Sequence, residues 1–159
     1  MAVLIDEKKL KNRPPIGYST FSMSIKLSHI AIACPKIQEV AEKLKAIALE
    51  IESQHDVPTE KVKVAMLPLE VSPGVCLELL EPQSDDSPIS KYLEKKPQGG
   101  IHHLSFEVEQ LEDWAKRLEK AGLTILPPGI RKAARGRALF IHPKSFAGIL
   151  VELEEIEHS

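Results

Sequence analysis

The chain has 159 residues, 43% of them hydrophobic, enough for one compact domain with a sizeable core or for two small fused modules. A formal charge of -2 with 28% charged residues gives no basic excess, and 4% aromatic residues leave few stacking platforms, which argues against nucleic acid as a partner. Cys34 and Cys76 lie in apolar runs without metal-type spacing, as expected for reduced thiols of an intracellular, cytoplasmic protein.

The chain starts MAVLIDEKKLKNRPPIGYSTFSMS, where a few apolar residues run straight into Asp6 and Glu7, without the basic and long apolar regions of a secretory signal. Pro14, Pro15 and Gly17 in a polar setting make residues 1–24 an expected flexible arm, with one domain over 25–155. No apolar stretch reaches the about 20 residues that cross a bilayer, so no membrane association is expected. KLSHIAIA then opens a strand, and Val40, Leu44 and Ile47 follow at helical spacing. VKVAMLPL and CLELLEP read as strands. DSPISKYLEKK predicts a helix over 86–96, with Ser87 as cap, Pro88 at the first helical position and lysines at its end. In the strand GGIHHLSFEV, alternation puts His103 on one side with Ser105 and Glu107, and His102 on the other with Leu104 and Phe106. A helix with Trp114, Leu118 and Ala121 on one face comes next, and ILVELEE closes the pattern.

The segment His29 to Ile51 lies over His103 to Ile125 without a gap, at an offset of 74 residues. Each copy starts with a histidine heading a strand, passes through a helix and emerges in Leu-x-Ile. The same offset puts Glu78 on Glu152. Two βαβββ modules, about 25–84 and 100–155, joined by the helix over 86–96, make an α+β fold: a cupped mixed sheet with helices outside. A pseudo-twofold then brings the first and last strand of each module together, and with them His29, Glu78, His103 and Glu152. Carboxylates inside apolar strands are costly unless a cation compensates them. Two imidazoles and two carboxylates suit a borderline divalent ion such as cobalt, manganese, nickel or zinc. Ala31 and Ser105 follow the histidines on the same face and are small, which leaves room over the ion. His102 is expected to pack.

The modules and their His/Glu pairs resemble the vicinal oxygen chelate (glyoxalase/bleomycin-resistance) superfamily. KLSHIAIA, LELLEP, DSPISKYLEKK, GGIHHLSFEV and FIHPKSFAGILVELE resemble in particular its methylmalonyl-CoA epimerase family, from about Lys26 to Glu155. The resemblance puts His29, Glu78, His103 and Glu152 at the metal-ligand positions, Glu78 standing where some members carry glutamine. It implies an epimerase that interconverts (R)- and (S)-methylmalonyl-CoA by α-proton transfer through a metal-stabilised enolate, with an acyl-CoA substrate and a homodimeric assembly. By that resemblance Glu152 also exchanges the substrate proton. The family's second glutamate falls on Val64 here, so the second acid/base is unassigned. Lys144, Arg135 and Arg137 are candidate contacts for substrate phosphates. Two alternatives share the superfamily: a lactoylglutathione lyase of the glyoxalase I type, which uses a similar His/Glu set, and a non-catalytic protein that binds a small molecule.

Overall fold

A computed structural model describes residues 24–157 apart from 71 and 134, so all of the expected arm but Ser24 lies outside the described residues. One mixed eight-stranded sheet carries the molecule, in the order β2-β3-β4-β1-β5-β8-β7-β6. The strands are β1 (Ile25–Ala33), β2 (Ser53–Val57), β3 (Val62–Pro68), β4 (Cys76–Pro82), β5 (Gly100–Val108), β6 (Arg131–Ala133), β7 (Gly136–Ile141) and β8 (Leu150–Ile156). The helices are α1 (Ile37–Leu44), α2 (Pro88–Lys95) and α3 (Leu111–Lys120). Read outward from the centre, each half repeats one order: β1-β4-β3-β2 and β5-β8-β7-β6. Within each half the first and last strands pair in parallel, β1 with β4 and β5 with β8, and the halves join through the antiparallel β1/β5 pair. The pseudo-twofold therefore passes between the two histidine strands. Among the described residues no helix is long and apolar enough to cross a membrane.

On one face α1 packs over Ala65, Leu67 and Leu79, and α3 over Leu139, Ile141, Val151 and Leu153. Both helices are held at their starts in the same way. The Glu81 carboxylate accepts from Ile37 N–H at 2.8 Å, and Glu155, at the equivalent place, accepts from Leu111 N–H at 3.3 Å. A carboxylate of the last strand thus satisfies a donor that the helix leaves open, and sits favourably at the positive end of its dipole.

Four expectations need correction. The apolar face Val40-Leu44-Ile47 stops at Leu44, where Lys45–Ile47 tightens into a 3-10 turn and leaves Ile47 67% exposed. Leu49 and Ile51, both half-buried, pack against the core instead. Ala121 likewise sits exposed just past α3, while Trp114 and Leu118 pack. Leu123 to Ile125 makes only one bridge, Ile125 to Ile141, and the second strand of the later half forms at Arg131. The helix α2 starts as expected, Ser87 Oγ accepting from Ile89 N–H with Pro88 at the first turn. It does not lie outside with the others. Ile89 packs with Ala31, Ala33, Val62, Val64 and Leu80, on the inner face that carries His29.

Candidate metal centre

The two histidines meet where the two halves join. His29 Nε2 and His103 Nε2 are 3.2 Å apart, with the rings edge-on at 74° and both residues buried. Glu152 Oε2 lies 3.5 Å from each of these nitrogens. Glu78 Oε2 lies 3.4 Å from His29 Nε2 and 3.8 Å from His103 Nε2. His29, His103 and Glu152 each offer one ligand atom within 4.8 Å of the others. Register explains the convergence: Glu78 pairs across β4/β1 with Ala31, and Glu152 across β8/β5 with Ser105, each the small residue two beyond a histidine. Ala31 and Ser105 are both fully buried.

The electrostatics suit a cation. Burial pushes the His29 imidazole down to about 4, against a pull upward from Glu152, so it is neutral at pH 7 with a lone pair to give. Burial and the charge of Glu152 push Glu78 up to about 7, despite the opposing influence of His103. Burial alone would raise Glu152, but its contacts with His103 and His29 outweigh that and hold its carboxyl below the usual range. Among the described residues the ion-pair partners of both carboxylates are the two imidazoles. A neutral imidazole such as His29 and an ionised carboxylate such as Glu152 are what a divalent ion requires of its ligands, and the donor set fits such an ion.

A third carboxylate stands behind the cluster. Glu154 is buried on the same face two residues after Glu152, accepts from Arg135 Nη2 at 2.7 Å and from Ser105 Oγ at 3.2 Å, and has Oε1 3.7 Å from His29 Nδ1. The sequence signal for it was present: a second glutamate in phase with Glu152 inside an apolar run. Arg135 reaches in from the β6/β7 turn and also donates to Ser28 Oγ at 2.9 Å. The turn depends on Gly136, at φ +150°, because a Cβ there would meet Glu155 O at 2.2 Å. Phe140, the register partner of Glu152, sets its edge against His103 with centroids 6.1 Å apart, and the Arg131 guanidinium lies 4.4 Å over the Phe140 ring.

His102 departs from the alternating pattern. In the β1/β5 ladder Ala31 pairs with His103 and Ile32 with Ile101, so His102 is an extra residue on β5. It turns beside its neighbour instead of away from it, with Nδ1 2.9 Å from His103 Nδ1. Of the remaining candidates, Arg137 is engaged by Glu112 and Glu155 at the start of α3, away from the cluster. Lys144 is exposed on the Pro143–Ser145 turn, and among the described residues no hydrogen bond joins it to the cluster. Val64 is buried in the apolar wall under α2.

A profile of the Glyoxalase/Bleomycin resistance protein/Dioxygenase superfamily matches residues 28–140. An ethylmalonyl-CoA/methylmalonyl-CoA epimerase from Cereibacter sphaeroides is 40% identical over 134 residues, 82% of this chain and 98% of that one. The mitochondrial methylmalonyl-CoA epimerase of Homo sapiens is 33% identical over 132 residues, 82% of this chain and 73% of that protein. Among solved structures, a Streptomyces coelicolor methylmalonyl-CoA epimerase variant in complex with 2-nitronate-propionyl-CoA superposes with a TM-score of 0.73 at 29% identity, covering 85% of this chain and 100% of the other.

Proposed function

The chain belongs to the Glyoxalase/Bleomycin resistance protein/Dioxygenase superfamily and, within it, to the methylmalonyl-CoA epimerases; on that premise we propose that its residues 25–155 form a single domain that interconverts the epimers of methylmalonyl-CoA, with Glu152 exchanging the α-proton. It is an isomerase. The observation that carries this is the convergence of two buried imidazoles and an ionised, buried carboxylate at the seam of the two halves, in a chain related along most of its length to epimerases. His29, His103, Glu152 and Glu78 would hold a divalent ion, with cobalt, manganese, nickel and zinc all compatible with the donors. When bound, such an ion acts as a Lewis acid toward negative charge developing on the thioester oxygen.

Glu152 is ionised and therefore competent to accept the α-proton. Its neighbours Ser105 and Phe140 are apolar or already hydrogen-bonded, which limits competing proton donors on that side. Across the site, Val64 and Leu80 offer no group that exchanges a proton. Loss of the α-proton is therefore faster from one epimer than from the other. Arg135, with part of its guanidinium exposed beside the cluster, is the cation best situated for an anionic group of the acyl-CoA. A homodimer in the cytoplasm completes the proposal. The test is metal analysis of the purified protein followed by proton exchange at the α-carbon of methylmalonyl-CoA in heavy water. Metal-dependent exchange is expected. Turnover of a glutathione hemithioacetal without that exchange would transfer the chain to lyase chemistry.

A further inference from the structure

The β1/β5 ladder slips twice, once on each strand. Leu27 pairs with Phe106 and His29 with Ser105, which leaves Ser28 as the extra residue on β1; His102 is the extra residue on β5. The two bulges occupy equivalent places in the repeat, each directly before a histidine of the centre. Without them Ser28 and His102 would point to the opposite face. With them each reaches the outer nitrogen of its neighbour: Ser28 Oγ is 3.2 Å from His29 Nδ1, and His102 Nδ1 is 2.9 Å from His103 Nδ1.

We propose that the paired bulges are orienting devices, in which Ser28 and His102 each accept the Nδ1 proton of the following histidine and so turn both Nε2 lone pairs toward the point between them. This rests on the two histidines being metal ligands. For His103 the proton sits on Nδ1 and is donated to His102 Nδ1, and His102 carries its own proton on Nε2. His102 is held for this task from the other side. The Tyr92 ring meets it edge-on at 5.2 Å and 75°, and Tyr92 Oη donates to Ile101 O at 2.8 Å, so α2 fixes the bulge in place. Gly99 brings β5 to this point, because at φ +81° a Cβ would meet Ala33 O at 2.2 Å. On the β1 side Arg135 donates to the same Ser28 oxygen, and Glu154 Oε1 waits 3.7 Å from His29 Nδ1. Partners of this kind fix the tautomer and ring angle of a ligating histidine. His102 and Ser28 are positioning residues.

The experiment titrates metal-free protein with Co(II), reading the dissociation constant and the visible absorption band, with thermal unfolding of the metal-free forms followed alongside. His102→Leu should weaken Co(II) binding by roughly 10- to 100-fold and shift the band. His102→Asn, whose Oδ1 occupies the place of Nδ1, should recover most of the affinity. Ser28→Ala should lose less than His102→Leu, since Glu154 stands ready as a second acceptor. If His102→Leu does not fold, His102→Ala supplies the same contrast with His102→Asn. Affinity unchanged in His102→Leu, or no better in His102→Asn than in the leucine variant at equal stability, overturns the orienting role. Wild-type protein that binds no Co(II) would overturn the metal centre itself.

Discussion

The two halves of the sheet hold matching His/Glu pairs against unlike walls. In the first half the inner face around Glu78 is apolar, built from Ala31, Val64 and Leu80 and roofed by α2. In the second, the equivalents of Ala31 and Leu80 are Ser105 and Glu154, hydrogen-bonded to each other and tied to Arg135. Lys61, the counterpart of Arg135, pairs with Asp86 instead of reaching inward. Strand register is enough to reproduce a His/Glu pair in both copies of a repeat, but the neighbours set the environment of each copy. The apolar wall leaves Glu78 near neutrality in its protonation, whereas the contacts around Glu152 keep it ionised. On the proposed reading, the first half would only coordinate the ion and the second would also move the proton.

The strongest way to break this contrast is to remove the ionisable group on each side in turn. Glu152→Gln should lower α-proton exchange by roughly 10²- to 10⁴-fold, measured as deuterium uptake into methylmalonyl-CoA, because an amide does not accept the proton. Exchange at the wild-type rate would dismiss Glu152 as the proton carrier.

Next in size is the transplant of the second wall into the first. Leu80→Glu places a carboxylate under α2 where no arginine reaches it, and should destabilise the fold by about 3–5 kcal/mol in denaturant unfolding. A cost below about 1 kcal/mol would mean that the first wall is wet and not the dry surface described.

Acid sensitivity sharpens the comparison. Burial pushes His29 and His102 from 6.5 down to about 4, so between those values the unfolded chain binds more protons and stability falls on acidification. Glu78 opposes this: pushed from 4.5 up to about 7, it contributes stability below 4.5 that is lost as pH rises through 7. Two groups outweigh one, so metal-free protein should melt at a lower temperature at pH 4.5 than at pH 6.5. Glu78→Gln should steepen that decline. A flat or reversed profile would show that the histidines are not held neutral by burial.

The smallest effect is expected from Glu78→Gln on catalysis. An amide oxygen still coordinates, so metal content and a substantial part of the activity should survive, with kcat reduced no more than roughly tenfold, as for the loss of a supporting interaction. A loss as deep as that of Glu152→Gln would make the two halves chemically equivalent.

How much of this was visible beforehand differs from residue to residue. His29, Glu78, His103 and Glu152 were legible because a repeat without gaps carries register with it, and register is what brings them together. Glu154 and Arg135 were harder, since their roles depend on a turn that folds back over the sheet. Arg137 was unreadable as a structural residue until Glu112 and Glu155 were seen on either side of it. Ile47 followed the helical period, yet Ala48 adopts φ +61° after a 3-10 turn and the chain leaves the helix early.

The sequence by itself determined the repeat, the pairing of His29 with His103 and of Glu78 with Glu152, and the start of α2, because periodicity, spacing and capping chemistry are local properties of the chain. Tertiary structure alone decided where α2 docks, that Arg135 reaches Glu154 while Arg137 is held by Glu112 and Glu155, and on which side of β5 His102 lies. The last depends on how β5 aligns with β1, a strand more than seventy residues earlier: a one-residue bulge reverses the side that alternation assigns, and only the pairing of the two strands creates the bulge.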